Sequence, residues 1–543
     1  MLAAVLGSSV VFLDGTVVNV ALPKIGKELP ATTLGVLEGQ TYVNTGYLAV
    51  LAALLILGGA LSDRYGRKRV FSIGLVGFGI ASVLCGLSPS LEALVLARLF
   101  QGATAALLVP GSLALITSTF EGPALARAFG VWAAATSAAT LLGPIVGGLV
   151  VQDLTWRLAF LINVPLIVLA LVGLARGMPE SVREGASGRF DWLGSLDVVL
   201  FVGGLSFGLI RGQQHNWDDP IAWTAIGIGI VAGIAFPFLM SRRPDPLVPL
   251  SLFRIHRFAV INLATFLIYG ALYVFLAYQA IFLQGTLGYT ATAAAVAALP
   301  AGILLTVLST RVGSLAGRYG PRRFLVAGPL LMAAGLAWYA RVPATSEAWQ
   351  FDLRAPPSYV PPLSTLTDIL PAMIVYGVGI SLVVAPLTST LMTSIPVSRA
   401  GLGSAINNSI SRIGYPLIGA IVFIAITASF YANLAAAVPG LDPSSPQLRA
   451  TVSPLNPAPD GSPQQLVDAV RAASADAFRL AMLVGAGLLV VGAIVDFVGL
   501  RETSPETGHV TGREPATEGA RATLPPATDG DASRDTGVGE LEA

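Results

Sequence analysis

Two charged side chains lie inside long apolar runs of this chain, where residue type and position together point to chemistry. Asp14 stands in the first run, within residues 13–23. An acid at that depth in a membrane costs roughly 3 kcal/mol on insertion scales, and such acids serve as proton carriers in transporters. Asp14 is therefore predicted to take up and release a proton. A structural hydrogen bond to a neighbouring helix is the alternative.

Arg98 is the second charge, and it lies within residues 94–102 in the fourth apolar run. A fixed cation can stabilise a nearby carboxylate, or respond when that carboxylate is protonated. Gln101 follows almost one helical turn later and adds a hydrogen-bonding group. The alternative for Arg98 is a long side chain that extends to the cytoplasmic headgroups.

Polar and aromatic residues of the second half could line a substrate cavity. Arg412 is the other arginine committed to the membrane, and it lies close to two asparagines. Bonding between helices is the alternative role for this patch. Tyr269 and Tyr273 share one helical face, which suits either a flat amphiphile or packing between helices. The candidate substrate-binding residues are Asn19, Gln101, Tyr269, Tyr273, Asn408 and Arg412.

The fifth apolar run contains a proline among glycines in residues 143–148. Proline removes a helix hydrogen bond, and glycines let another helix approach closely. A kink and a packing seam are therefore predicted at Gly143, Pro144, Gly147 and Gly148. Such pairs are common in membrane helices, so the pattern alone says little about function.

A short basic turn lies between two apolar runs, and this arrangement occurs twice in the chain. Residues 59–69, here the first basic turn, carry Arg64, Arg67, Lys68 and Arg69. Residues 313–323, the second basic turn, repeat its Gly, Leu, Arg, Tyr, Gly and Arg in register. By the positive-inside rule these turns lie at the cytoplasmic face. The recurrence predicts two copies of one membrane unit, as in secondary transporters.

The composition excludes most other classes of protein. Of 543 residues, 54% are hydrophobic and 12% are charged, against roughly 25% charged in soluble domains. This composition predicts a polytopic membrane protein. The net charge of +1 gives no reason to expect nucleic acid. The chain has no phosphate-binding loop motif and no histidine or cysteine cluster with metal-ligand spacing. We therefore expect no metal, no cofactor and no enzyme activity. Any uphill transport is expected to use an ion gradient as its energy source.

Fourteen apolar runs are long enough to cross a bilayer, which needs about 20 residues each. The positions of the basic turns indicate a six, two, six arrangement. We therefore expect a six-helix bundle in residues 1–176, two inserted helices in 177–257, a second six-helix bundle in 258–502 and a disordered cytoplasmic tail in 503–543. Lys and Arg are more frequent in the loops that this arrangement places inside, so both termini are predicted to be cytoplasmic.

Together these segments resemble the major facilitator superfamily, and within it the fourteen-helix drug:proton antiporters. The first basic turn is similar to the loop motif of that superfamily. Residues 94–102 resemble its helix 4 motif, and residues 143–148 its antiporter motif. Residues 13–23 and 156–165 resemble segments of the fourteen-helix subfamily. One departure is Gly317, which replaces the acid of the motif in the second basic turn.

The resemblance implies a major facilitator fold that works by alternating access, with proton entry driving export of drugs, antibiotics or other amphiphiles across the cell membrane. It implies proton coupling by Asp14 and Arg98 and a cytoplasmic gate in the first basic turn. The gate residues are Gly59, Asp63, Arg64, Gly66 and Arg67. The partners expected are a small-molecule substrate and lipid, and the protein is expected to be a monomer. A dedicated exporter or importer of one metabolite, and a non-transporting receptor, are the alternatives.

Overall fold

The computed structural model describes residues 1–30, 36–153, 155–177, 190–214, 217–352, 355–443, 445, 448, 451–459 and 461–500. Within these residues the long elements are all helices. Helices are the expected solution in a bilayer, because lipid offers no hydrogen bonds and each backbone group must find its partner within its own segment. The predicted tail, residues 503–543, lies outside the described residues.

Seven helices make up the part of the chain before residue 178. They are α1 (Leu2–Glu28), α2 (Val36–Tyr65), α3 (Arg67–Gly86), α4 (Leu91–Thr119), α5 (Gly122–Asp153), α6 (Leu158–Leu161) and α7 (Asn163–Gly177). One residue separates α6 from α7, so these two helices together cover the sixth predicted run.

Nine further α-helices follow in the described residues from 190 to 500. They are α8 (Trp192–Gln214), α9 (Pro220–Ser241), α10 (Ser251–Arg254), α11 (His256–Ile281), α12 (Ala291–Tyr319), α13 (Arg322–Tyr339), α14 (Leu370–Thr393), α15 (Ala400–Ala437) and α16 (Gln464–Gly499). One π turn, Phe282–Thr286, extends α11, and another, Thr365–Ile369, precedes α14.

The helices fall on the predicted apolar runs. By length and composition, 11 helical segments of the described chain can cross a membrane, and Leu2–Val18 is a shorter apolar segment. The prediction of an all-helical membrane fold is confirmed. The count of fourteen crossings stays a prediction.

The two basic turns share a backbone conformation as well as a sequence. Gly66 stands between α2 and α3 with a φ of 104°, and Gly320 stands between α12 and α13 with a φ of 83°. Side chains with a Cβ rarely adopt this region, whereas glycine enters it freely. Both copies therefore need glycine where one helix stops and the next begins.

The first five helices meet the later ones at seams of small residues. On α2, a Cβ on Gly59 would lie 2.4 Å from the carbonyl oxygen of Gly401 on α15. On α5, a Cβ on Gly130 would lie 2.8 Å from the carbonyl oxygen of Ser309 on α12, and one on Gly313 would lie 2.8 Å from that of Ala126. These helix pairs approach closely only because the glycines lack side chains.

The helices between the two repeated units pair with each other. A Cβ on Gly204 of α8 would lie 2.8 Å from the carbonyl oxygen of Ala225 on α9. A Cβ on Gly203 would lie 2.9 Å from the Cβ of Ala53, so α8 also packs on α2. The domain bounds at residues 176, 257 and 502 stay a prediction.

Candidate functional site

The two charged residues of the first half meet inside the helix bundle. Arg98 Nη1 donates a hydrogen bond of 2.5 Å to Asp14 Oδ2. Both side chains are 0% exposed. Asp14 comes from α1 and Arg98 from α4, which begins after Ser90, whose hydroxyl accepts from the amide of Ala93 at 3.2 Å. The sequence predicted each residue separately, and the structure joins them in one ion pair.

Two amide side chains complete the hydrogen bonding of the carboxylate. Gln101 Nε2 and Asn163 Nδ2 donate to Asp14 Oδ1 at 3.0 and 2.9 Å. The same two nitrogens donate to Ser82 Oγ at 2.9 and 3.3 Å. We call Asp14, Ser82, Arg98, Gln101 and Asn163 the acid cluster. Its members come from α1, α3, α4 and α7, and all are fully buried.

Helix α2 also contacts the Arg98 side chain. Arg98 Nε donates to the carbonyl oxygen of Val43 at 2.9 Å. The Arg98 guanidinium carbon lies 4.0 Å from the ring centroid of Tyr47, a distance at which a cation is attracted to an aromatic face. Arg98 Nη1 also donates to Gln101 Oε1 at 2.7 Å. These contacts fix Arg98 in the bundle, against the alternative of a side chain extended to the headgroups.

The acid cluster can link a proton to helix packing. A proton on Asp14 would neutralise the carboxylate and leave Arg98 as a buried cation without its counter-ion. Removing one partner of a buried ion pair costs about 3–5 kcal/mol in proteins. Protonation of Asp14 would therefore destabilise the present packing of α1 against α4. Loss of the carboxylate charge favours a different arrangement of these two helices.

The first basic turn closes on the beginning of α15. Asp63 accepts hydrogen bonds from the amides of Gly401 and Leu402 at 3.1 and 2.8 Å. Those amides belong to the first turn of α15, where unpaired N–H groups and the helix dipole attract a negative charge. Arg67 lies 3.2 Å from Asp63 and donates to the carbonyl oxygens of Ala114 and Val397. One buried ion pair thus ties α2, α3 and α4 to the segment that leads into α15.

The remaining residues of the predicted gate lie around this pair. Gly59 makes the close contact with α15 described above, and Gly66 makes the turn. Arg64 Nη1 lies 3.6 Å from Asp245 Oδ2. Because Asp245 is partly exposed, the contribution of this pair to stability is small, about 0–1 kcal/mol. In the second basic turn a Cβ on Gly317 would lie 3.2 Å from that of Ala126, so small residues pack where the first turn uses charge.

The predicted seam of α5 lies against α1 close to Asp14. A Cβ on Gly143 would lie 1.8 Å from Thr16 Oγ1, and one on Gly147 would lie 3.1 Å from the carbonyl oxygen of Val17. A Cβ on Gly143 would require Thr16 or the helix to move, whereas Gly147 makes a close contact that leaves little room for a side chain. Pro144 and Gly148 belong to α5, and their surroundings lie outside the described residues.

The predicted substrate-binding residues are distributed over both halves. Gln101 belongs to the acid cluster, and the side chain of Asn19 lies outside the described residues. Tyr269 and Tyr273 stand together on α11 with ring centroids 6.1 Å apart. Asn408 Nδ2 donates to the carbonyl oxygen of Ser404 within α15 at 2.9 Å. Arg412 is half-buried one turn further along α15.

Two members of the acid cluster, Ser82 and Asn163, and its neighbour Tyr47 were not singled out from the sequence. Asn163 lies in residues 156–165, which resemble a subfamily segment, and an asparagine within an apolar run was a usable signal. Ser82 and Tyr47 gave no such signal, because serine and tyrosine are common in membrane helices. Their roles depend on which face of α3 and α2 points inward.

A polytopic helical protein with a repeated unit and a buried acid in its first unit has the features of a secondary transporter. The model of the Major Facilitator Superfamily matches residues 4–435, and the chain belongs to that superfamily. It is therefore a multi-pass membrane transporter for small molecules and not an enzyme.

Its relatives include proteins named for drug resistance. The chain is 34% identical over 435 residues to the puromycin resistance protein pur8 of Streptomyces alboniger, covering 78% of this chain and 81% of the relative. It is 32% identical over 444 residues to the multidrug resistance protein Stp of Mycobacterium tuberculosis, covering 81% and 78%. It is 30% identical over 498 residues to the multidrug efflux pump LfrA of Mycolicibacterium smegmatis, covering 88% and 92%.

Solved structures agree on the fold. The human organic anion transporter MFSD10 is similar with a TM-score of 0.57 at 14% identity, covering 91% of this chain and 98% of that protein. The proton:xylose symporter XylE is similar with a TM-score of 0.57 at 16% identity, covering 91% and 93%. At these identities the likeness concerns the major facilitator fold alone.

Proposed function

We propose that this chain is a drug-efflux antiporter that exports amphiphilic small molecules by alternating access, with proton entry as the driving reaction. The observation that carries the proposal is the sealed ion pair of Asp14 and Arg98 within the acid cluster. The relatives described above, which are named as resistance and efflux proteins, support the class of cargo.

Asp14 is the proton carrier in this scheme, and Arg98 is its counter-ion. Deprotonated Asp14 is held by three donors, from Arg98, Gln101 and Asn163. Protonation removes the attraction for Arg98, and the resulting unpaired cation favours a conformation in which water or another group reaches it. Release of the proton on the cytoplasmic side restores the pair and resets the transporter.

Asp63 and Arg67 form the gate of the same cycle. Their contacts with Gly401, Leu402 and Val397 close the face of the protein that we predict to be cytoplasmic. Opening that face requires the amides of α15 to separate from the Asp63 carboxylate. In this movement the two six-helix halves slide along the glycine contacts between α2 and α15 and between α5 and α12.

The membrane potential supplies enough energy for this exchange without any cofactor. One proton moving inward gains about 2.3 kcal/mol per 100 mV, in addition to the pH gradient. We place the protein in the cell membrane as a monomer with both termini in the cytoplasm, in keeping with the distribution of its basic residues.

The test measures efflux from cells that express the protein, with a panel of fluorescent amphiphiles that differ in charge. We expect the wild-type protein to lower accumulation of at least one compound, a protonophore to abolish the effect, and Asp14→Asn to do the same at equal expression. Asp476→Asn is the matched control, because Asp476 is an exposed residue on α16. Efflux by Asp14→Asn at the wild-type rate would remove Asp14 from the mechanism. Protonophore-resistant efflux would contradict proton coupling, and uptake in place of efflux would favour an importer.

A further inference from the structure

Arg412 is a membrane-embedded cation without a counter-ion among the described residues. It stands twelve residues after Ala400, the first residue of α15. At 1.5 Å per residue this places it about 18 Å along the helix, well inside a segment that is long and apolar enough to cross a membrane. In the part of the chain that the structure describes, no hydrogen bond or ion pair involves its half-buried guanidinium.

The other charges of the helix interfaces described above are balanced. Asp14 is paired with Arg98, and Asp63 is paired with Arg67. Arg412 therefore adds one uncompensated positive charge to the interface between α15 and the helices of the first half. A buried or half-buried cation is retained at such depth where it has a function, most often with an anionic partner.

A second unsatisfied donor lies on α2, which packs against α15. Tyr47 on α2 is 1% exposed, and its hydroxyl has no hydrogen-bond partner among the described residues. Gly59 of α2 lies against Gly401 of α15. Tyr47 is twelve residues from Gly59 and Arg412 is eleven residues from Gly401, both away from the first basic turn, so the two residues stand at a similar level, roughly 17 Å along their helices from that contact. The ring of Tyr47 packs on Arg98, whose Nη2 atom also lacks a partner in the described part of the chain. Buried polar atoms normally have partners, so the Tyr47 hydroxyl and Arg98 Nη2 are two donors that an oxygen of a ligand can satisfy.

We infer that Arg412 and the Tyr47 hydroxyl form a subsite for an anionic oxygen of the cargo, such as a carboxylate. This inference deepens the proposed function, on which it rests, by assigning an acid-bearing amphiphile as the preferred substrate class. An arginine binds a carboxylate through two parallel N–H···O bonds, and a tyrosine hydroxyl can add a third. A cationic cargo would meet repulsion from Arg412 at the same place.

The position of the subsite also connects binding of the cargo with binding of the proton. Tyr47 contacts Arg98, and Arg98 holds the carboxylate of Asp14. An anion bound by Arg412 therefore lies one side chain away from the acid cluster. Arg412 acts in this scheme as a specificity-determining residue, whereas Asp14 carries the proton.

The experiment measures binding to the purified full-length protein in lipid nanodiscs. The probes are pyrenebutyrate, its neutral amide and a pyrenebutylammonium, which share one aromatic body and differ in charge. Fluorescence anisotropy gives each Kd for wild type, Arg412→Gln and Arg412→Lys. Arg318→Gln is the matched control, because Arg318 is exposed at the end of α12.

We expect the wild-type protein to bind the carboxylate at least about tenfold more tightly than the amide, as for a charge-assisted hydrogen bond. Arg412→Gln should abolish this preference with little change in amide binding, and Arg412→Lys should keep part of it. Arg318→Gln should behave as wild type. Tyr47→Phe, which removes only the hydroxyl, should weaken carboxylate binding severalfold, and it carries the test if Arg412→Gln is not recovered folded.

Four outcomes would overturn the inference. Equal binding of carboxylate and amide by the wild-type protein would do so, as would a preference that survives both Arg412→Gln and Tyr47→Phe. The third is an equal loss of proton-driven transport for all three probes in Arg412→Gln with the binding preference intact, which would assign Arg412 to coupling. Proton-driven export of only neutral or cationic probes would leave the proposed function standing while the inference falls.

Discussion

At the scale of single residues, the carboxylate of Asp14 is stabilised by donors that favour its charged form. Arg98, Gln101 and Asn163 each donate to one of its two oxygens. A buried charge without partners is costly, so each donor contributes to the stability of the acid cluster.

Asn163→Ala is expected to destabilise the protein and to slow efflux. The change removes one of the three donors to Asp14 at a fully buried position. Loss of a hydrogen bond to a charged group costs about 1.5–3 kcal/mol. We therefore expect a lower Tm of the purified protein and slower efflux at equal expression. Asn456→Ala, at an exposed loop position, should leave both unchanged, and a wild-type Tm in Asn163→Ala would contradict the role of Asn163.

The sequence predicted the identity of the two ionised residues better than their surroundings. Acids and arginines inside apolar runs are rare because they are costly, so Asp14 and Arg98 could be found without a structure. Gln101 was predicted to bind substrate, which stays a prediction, and the structure shows that its side chain donates to Asp14. Its direction depends on the rotation of α4 against α1 and α3, which a single sequence does not contain.

At the scale of helices, glycines at two interfaces decide how closely the halves approach. Gly59 is in contact with the backbone of Gly401, and Gly130 and Gly313 pack between α5 and α12. The repeat of the basic turns could be predicted because it is written in the sequence. The pairing of α2 with α15 could not, because it depends on packing between segments more than 300 residues apart.

Gly59→Ala is expected to weaken the closed gate. Its Cβ would lie 2.4 Å from the Gly401 carbonyl oxygen and 2.5 Å from the Cβ of Ala405, so α2 and α15 must separate. Gly227→Ala is the control, because a Cβ there meets nothing within 4 Å. Hydrogen exchange of the amides of Gly401 and Leu402 should accelerate in Gly59→Ala and stay at the wild-type rate in Gly227→Ala. Unchanged exchange in both variants would show that this contact does not hold the gate.

At the scale of the whole molecule, the proposed cycle of alternating access requires the face of the first basic turn to open and close. Ala60 of α2 and Ser398 of the segment before α15 line one small cavity at that face, together with Asp63. The single native cysteine, Cys85, is buried in α3, so it offers little background to thiol reagents. Introduced cysteines can therefore report on this movement directly.

A double variant with Ala60→Cys and Ser398→Cys is expected to be locked by a short bifunctional thiol reagent. The cross-link holds α2 against the segment before α15, so efflux should fall to the level of cells without the protein. Cleavage of a reducible cross-linker should restore it. Each single variant treated in the same way should transport normally, and full activity of the cross-linked double variant would argue against opening at this face.

The most direct test of the account measures proton movement in proteoliposomes that contain the purified protein and a transported fluorescent amphiphile. We expect that adding this compound drives proton flux through the wild-type protein in the direction opposite to the compound. We also expect that the folded Asp14→Asn variant shows no compound-dependent proton flux, while downhill movement of the compound continues. Compound-dependent proton flux through Asp14→Asn at the wild-type rate would contradict the claim that this buried carboxyl couples the two movements.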